Sequence, residues 1–229
     1  MSTLIMKKPH TDARFWNRIA ERYARKAVPD QTAYETKLAK TDSHLQPDDR
    51  VLEIGCGTGT TALHHAPNAS HILATDISTK MIDIAREKAR AAGVDNVRFE
   101  VSSIDDLDTT PGQYEVILAH SILHLVADVP RTLRQLHRML KPGALLISNT
   151  QCIGESAAWL SWVAPLGRAL GVLPRVNVFR EQEFLKWIGD AGFEFEEVWQ
   201  PKPKSSYYIV ARAVDANLRR PVSLSNRMH

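Results

Sequence analysis

Five residues in a row offer the clearest chemistry in this sequence. Val51-Leu52-Glu53-Ile54 is an apolar stretch with one embedded acid, and it runs into Gly55-Cys56-Gly57-Thr58-Gly59. Glycines at alternate positions permit positive φ and let backbone lie against a ligand with no Cβ between them. The free N–H groups of a helix starting there favour an anionic group. Asp76 follows 21 residues after Gly55, at the close of the apolar run His71 to Thr75. A carboxylate at that position can accept both hydroxyls of a ribose. The dinucleotide fingerprint places its glycines first, third and sixth, whereas these stand first, third and fifth, which disfavours a pyrophosphate.

A second group lies in Ala119-His120-Ser121-Ile122-Leu123-His124, just past another short strand. An imidazole titrates near 6.5, so His120 can take a proton from an acceptor or orient it by hydrogen bonding. His124 is the second candidate. His64, His65 and His137 fall on helical stretches and read as solvated or structural. Cys56 and Cys152 cannot build a disulfide framework, and no run of Cys and His has zinc spacing, so a reduced cytoplasmic setting is expected.

Positioning these groups requires strands that end where the loops begin. Apolar runs at 51–54, 71–75, 97–101, 115–119 and 144–148 alternate with amphipathic stretches, notably Ser78 to Ala92 with Met81, Ala85, Ala89 and Ala92 on one face, and the stripe Val129, Leu133, Leu136, Leu140 opened by Asp128. Ser78 reads as an N-cap and Gly93 as a stop. Such alternation predicts a doubly wound α/β sheet buried on both faces, with right-handed crossovers. After a helix over 184–191, the runs 193–199 and 206–213 are joined by Gln200-Pro201-Lys202-Pro203-Lys204, too short for anything but an antiparallel hairpin. The domain reading is an N-terminal helical lid over 1–46, one α/β domain over 47–213 with a cap insertion at 153–179, and a frayed tail over 214–229.

With 229 residues, 44% hydrophobic and 24% charged, the chain suits one globular domain. Its formal charge of +3 is scattered, which gives no footprint for nucleic acid. Leu4-Ile5-Met6 is too short for a secretory core. The most apolar stretch outside the N-terminus, between Glu155 and Arg168, holds twelve uncharged residues, against roughly 20 for a membrane span.

The glycine run with Glu53 resembles the first motif of the class I S-adenosylmethionine-dependent methyltransferases, and the likeness extends over roughly residues 45 to 212. Asp76, Tyr114-Glu115-Val116-Ile117-Leu118, Arg138-Met139-Leu140-Lys141-Pro142-Gly143 and the terminal hairpin follow in that family's order. The resemblance implies a Rossmann-like seven-stranded sheet of order 3-2-1-4-5-7-6 and S-adenosyl-L-methionine as methyl donor, with no metal needed. It further implies that Gly55, Gly57 and Gly59 line the methionine part of the cofactor, that Glu53 organises the loop, and that Asp76 holds the ribose. Ile77 and Ile104 would pack on adenine, with Met81 nearby. Ser103 stands where the family carries an acid for the adenine amine, with Asp105 as the alternative under a shifted register. The segment Phe15 to Tyr23 resembles the lid helix of small-molecule members, in which a tyrosine reaches the cofactor carboxylate, so Tyr23 joins the implied cofactor contacts, as does His120.

Methyl transfer is an in-line displacement that requires alignment, exclusion of water and, for some acceptors, a base. Trp159, Trp162, Leu166, Leu170, Leu173 and Phe179 in the cap imply a small, apolar or aromatic acceptor, related to those of the quinone methyltransferases; the same surface would also suit a homodimer contact. Arg168 and Arg175 are read as solvated, with an acidic group of the acceptor as the other possibility. The rival reading is a non-catalytic nucleoside-binding or protein-interaction domain, against which the intact glycines and Asp76 argue.

Overall fold

The computed structural model describes residues 12–152, 154, 173–203 and 205–214. Two helices come first, α1 (Ala13–Ala24) and α2 (Gln31–Asp42). The sheet is then built from β1 (Arg50–Ile54), β2 (His71–Asp76), β3 (Val97–Val101), β4 (Tyr114–His120), β5 (Leu140–Thr150), β6 (Phe193–Trp199) and β7 (Tyr207–Ala213). Helices α3 (Thr60–His65), α4 (Thr79–Ala92), α5 (Val129–Met139) and α6 (Glu181–Asp190) connect them.

The strand order is 3-2-1-4-5-7-6, as the resemblance implied. β7 runs antiparallel to both neighbours, while β1 to β5 pair in parallel. Alternation along the strands divides the core between two faces: Leu52, Ile54, Ile117 and Ala119 pack with Leu133, Leu136, Phe184 and Ile188 on one side. Val51, Val116 and Leu118 pack with Ala62, Ile82 and Ala85 on the other. The strands read as near-continuous apolar runs because both of these faces are buried.

Local signals set most boundaries. The Ser78 hydroxyl accepts from Met81 N at 3.1 Å and starts α4, and Gly93 ends it in the left-handed region at φ 66°. Asp128 caps α5 by accepting from Arg131 N. Two boundaries differ from the sequence reading. α6 begins at Glu181, a turn before Phe184, because Glu183 reaches back to accept from Arg180 N at 2.9 Å. β5 begins at Leu140, which pairs with Tyr114 ahead of an irregularity; past it, Val116 meets Leu145.

α2 packs against the far half of the sheet rather than standing free. Lys37 Nζ donates to Asn149 Oδ1 at 3.3 Å, Lys40 pairs with Glu197 at 2.5 Å, and the Thr41 hydroxyl meets Tyr208 OH at 3.2 Å. α1 is stapled to the start of α4, where Asn17 Oδ1 accepts from Ser78 Oγ at 2.7 Å and from Lys80 N at 3.1 Å. Most of the anticipated cap (155–172) and of the tail (215–229) lies outside the described residues, with Trp159, Trp162, Pro165, Leu166, Arg168 and Leu170. Among the described residues no helix is long and apolar enough to cross a membrane.

Candidate active site

A cleft open to solvent lies beyond the carboxyl ends of β1, β2 and β4. That is where an open parallel sheet binds its ligands. One flank carries Gly55, Gly57, Asp76, Ile77, Met81 and Ile104; the other carries His120, Ser121, Ile122, Leu125, Val126 and Arg175. Trp16 and Tyr23 of α1 reach its mouth.

The three glycines all have positive φ but do different work. At Gly57 an added Cβ would have, among the described residues, only the Tyr23 ring near it, at 3.7 Å, so this backbone faces the cleft. At Gly55 a Cβ would stand 2.6 Å from Ile122 Cγ1, across the cleft floor. Gly59 is not among the residues that line the cleft. A Cβ on it would lie 2.7 Å from Ala85 Cβ and 2.8 Å from the Phe99 ring, so Gly59 is needed where the N-terminus of α3 presses on the core.

Asp76 ends β2 with its carboxylate already aligned. Oδ2 accepts from Gly57 N at 3.0 Å and Oδ1 from Ser78 N at 2.8 Å, which ties the glycine turn to the start of α4. Burial raises its pKa, against the lowering effect of those two bonds. Tyr23 stands near enough for the Asp76 charge to raise its phenol pKa further, after the larger effect of burial. On the same flank, just past β3, Ser103 and Asp105 both line the wall; the Ser103 hydroxyl donates to Asp106 at 3.0 Å. Gln135 of α5 holds this turn by donating to Ile104 O at 2.6 Å.

Glu53 sits beneath the loop, 1% exposed, and lines no part of the cleft. Burial pushes its pKa up to about 8, so at neutral pH it carries a proton. The folded state therefore holds a proton that the unfolded chain releases above about pH 4.5. Its contribution to stability is complete below that pH and is lost as pH rises through 8. Glu53→Gln is expected to melt above the parent at pH 8, with the gap closing at pH 4.5; equal melting curves at both values would show that Glu53 is ionised in the fold.

The two histidines separate. His120, at the end of β4, lines the cleft; its Nε2 is buried without a hydrogen-bond partner among the described residues. Burial chiefly, with the charges of His65 and Lys37, pushes its pKa down to about 3, so the ring is neutral. His124 does not line the cleft: it lies behind, its pKa pushed by burial to about 4 and its carbonyl taken by Asn177 N at 2.7 Å. Between them Ser121 holds φ 55°, the only positive φ outside glycine among the described residues, with its N–H donated to Asn149 O at 2.7 Å. Backbone strain of this kind gathers at binding sites. Sequence reasoning missed Ser121, Asn17 and the reach of Lys37, none of which carries a local signal. Arg175, read there as solvated, lines the cleft; its Nε is buried and without a partner among the described residues.

A glycine turn, a strand-tip carboxylate and a neutral histidine thus surround one cleft at the strand ends of a Rossmann-like sheet. Residues 45–187, more than half of the chain, match the family described as "Methyltransferase domain", and the chain belongs to that family. It is 29% identical over 208 residues to the reducing polyketide synthase Preu2 of Preussia isomera, covering 82% of this chain but 9% of that protein. The chain thus spans less than a tenth of that synthase. It is 26% identical over 175 residues to the ubiquinone biosynthesis O-methyltransferase of Pseudomonas aeruginosa, covering 73% of this chain and 75% of the relative. The structure of geranyl diphosphate methyltransferase with its diphosphate and sinefungin shares the fold, at 17% identity and a TM-score of 0.65 over 78% of this chain and 77% of that one.

Proposed function

We propose that this methyltransferase domain moves a methyl group from S-adenosyl-L-methionine to a small, apolar or aromatic organic acceptor held between His120 and Arg175. The observation that carries the donor assignment is Asp76 at the tip of β2, aimed into the cleft beside the open backbone of Gly57. The residues fit the nucleoside: a carboxylate for its ribose, Ile77 and Ile104 as apolar faces for adenine, Met81 beside them, and Ser103 or Asp105 for the ring's amine. Gly55 and Gly57 leave room for the methionine chain, and Tyr23 stands near its carboxylate.

When bound, the cofactor supplies an electrophilic methyl on a sulfonium that leaves with its bonding pair. This chain orients the acceptor and excludes water during transfer, and a proton displaced from the acceptor passes to bulk solvent. Ile122, Leu125, Val126 and Pro174 favour apolar surface on the acceptor side, the basis for the acceptor class. The neutral His120 ring is free to accept a hydrogen bond from a hydroxyl or amine of the acceptor and so to aim the acceptor atom at the methyl.

The test is to incubate the protein with methyl-labelled cofactor and fractionated apolar and aromatic metabolites, and to detect products heavier by one methylene. Transfer is expected, and His120→Ala should lower kcat by about 100-fold, the scale of a misplaced reactant. No limb from His120 should appear near pH 6.5. Tight cofactor binding without transfer to any acceptor would favour a nucleoside-binding domain instead.

A further inference from the structure

Outside the cleft, α2 and α3 end side by side, and their last residues form a compact donor cluster. His64 Nε2 lies 2.9 Å from Asp42 Oδ2, and His65 Nδ1 lies 2.7 Å from Asp42 Oδ1. One donor atom from each of the three side chains falls within 4.8 Å of the others. From this geometry we propose that Asp42, His64 and His65 form a binding site for one divalent first-row transition ion, with Zn²⁺ as the representative.

Two imidazole nitrogens and a carboxylate oxygen suit Zn²⁺, which binds them at about 2.0–2.2 Å. Tetrahedral bonds of that length place ligand atoms about 3.4 Å apart, so the pairs now at hydrogen-bond distance need to part by well under 1 Å. Each pair's bridging proton gives way to the ion. Asn68 Nδ2 donates to Asp42 Oδ1 at 2.8 Å, an outer contact that holds the carboxylate's orientation. The Asp42 and His64 side chains are 27% and 42% exposed, whereas His65 is fully buried. An ion can therefore enter from solvent and keep a water in its fourth position. The carbonyl end of the twelve-residue α2 also favours positive charge there.

The site lies apart from the donor chemistry, for none of its three residues lines the cleft. An ion would instead brace α2, whose Lys37 touches Asn149 beside the end of β4, against the helix that follows the glycine turn. Spacing along the chain hides this site: two adjacent histidines and an aspartate 22 residues earlier match no zinc motif.

The test uses the full chain after chelator treatment, titrated with Co²⁺ and with Zn²⁺ against a chromophoric chelator, alongside His64→Ala and Asp42→Asn. The expected result is one equivalent bound with the visible absorption of four-coordinate Co²⁺, a rise in melting temperature with Zn²⁺, and at least a tenfold weaker Kd in both variants. Because His64 is exposed, His64→Ala should melt like the parent without metal, which separates lost binding from lost folding. Absence of stoichiometric binding to the parent, or binding of unchanged affinity in the folded His64→Ala variant, would overturn the site.

Discussion

Asp76→Ala is expected to weaken S-adenosylmethionine and S-adenosylhomocysteine binding by about 100-fold or more, since hydrogen bonds to a charged group contribute about 1.5–3 kcal/mol each and the ribose offers two. The same substitution strips Gly57 N and Ser78 N of their acceptor, so the glycine turn loses its tie to α4. Asp76→Asn separates these effects. It keeps an acceptor of nearly the same shape, loses the charge, and is expected to fall between the parent and the alanine variant. Calorimetry gives the affinities, and circular dichroism establishes that the variants are folded. Parent-like affinity in both would remove Asp76 from the binding site.

Gly59→Ala should strike the fold rather than the ligand. Gly59 sits at φ 75°, and its new methyl would meet Ala85 Cβ at 2.7 Å and the Phe99 ring at 2.8 Å. The left-handed conformation costs about 1–2 kcal/mol for a residue with a Cβ, and overpacking adds about 1–3 kcal/mol. At roughly 2–4 °C per kcal/mol for a chain of this size, the melting temperature should drop by about 5–15 °C. Gly93→Ala is the natural control, because Gly93 has φ 66° with nothing among the described residues within 4 Å of a Cβ. It bears the conformational cost alone. A Gly59 variant no less stable than the Gly93 variant would contradict the packing role.

The difference between these glycines marks what was legible before the structure. The sheet was readable because its strands are near-continuous apolar runs, and the helices between them start or stop at Ser78, Gly93 and Asp128, each a local signal with a local cause. The site's outline was readable for the same reason: a glycine turn and the acid at the next strand's tip belong to two neighbouring parallel strands, so chain order dictates their proximity. Which glycine faces the ligand depends on Ala85 and Phe99, residues far along the chain, and was not readable. His120 and His124 look alike in sequence, yet the turn after β4 sends one into the cleft and leaves the other behind it. The protonation of Glu53 and the neutrality of His120 likewise arise from burial, which only the assembled fold determines. The same holds for the meeting of Asp42 with His64 and His65.

The central claim is that the cleft beyond β1 and β2 is built for a sulfur-bearing adenosine. Calorimetric titration of the unmodified chain with S-adenosylhomocysteine and, separately, with a nicotinamide dinucleotide tests it most directly. Saturable one-to-one binding of the first is expected, blocked by prior addition of S-adenosylmethionine, with no heat from the second. Silence with S-adenosylhomocysteine, or tighter binding of the dinucleotide, would contradict it.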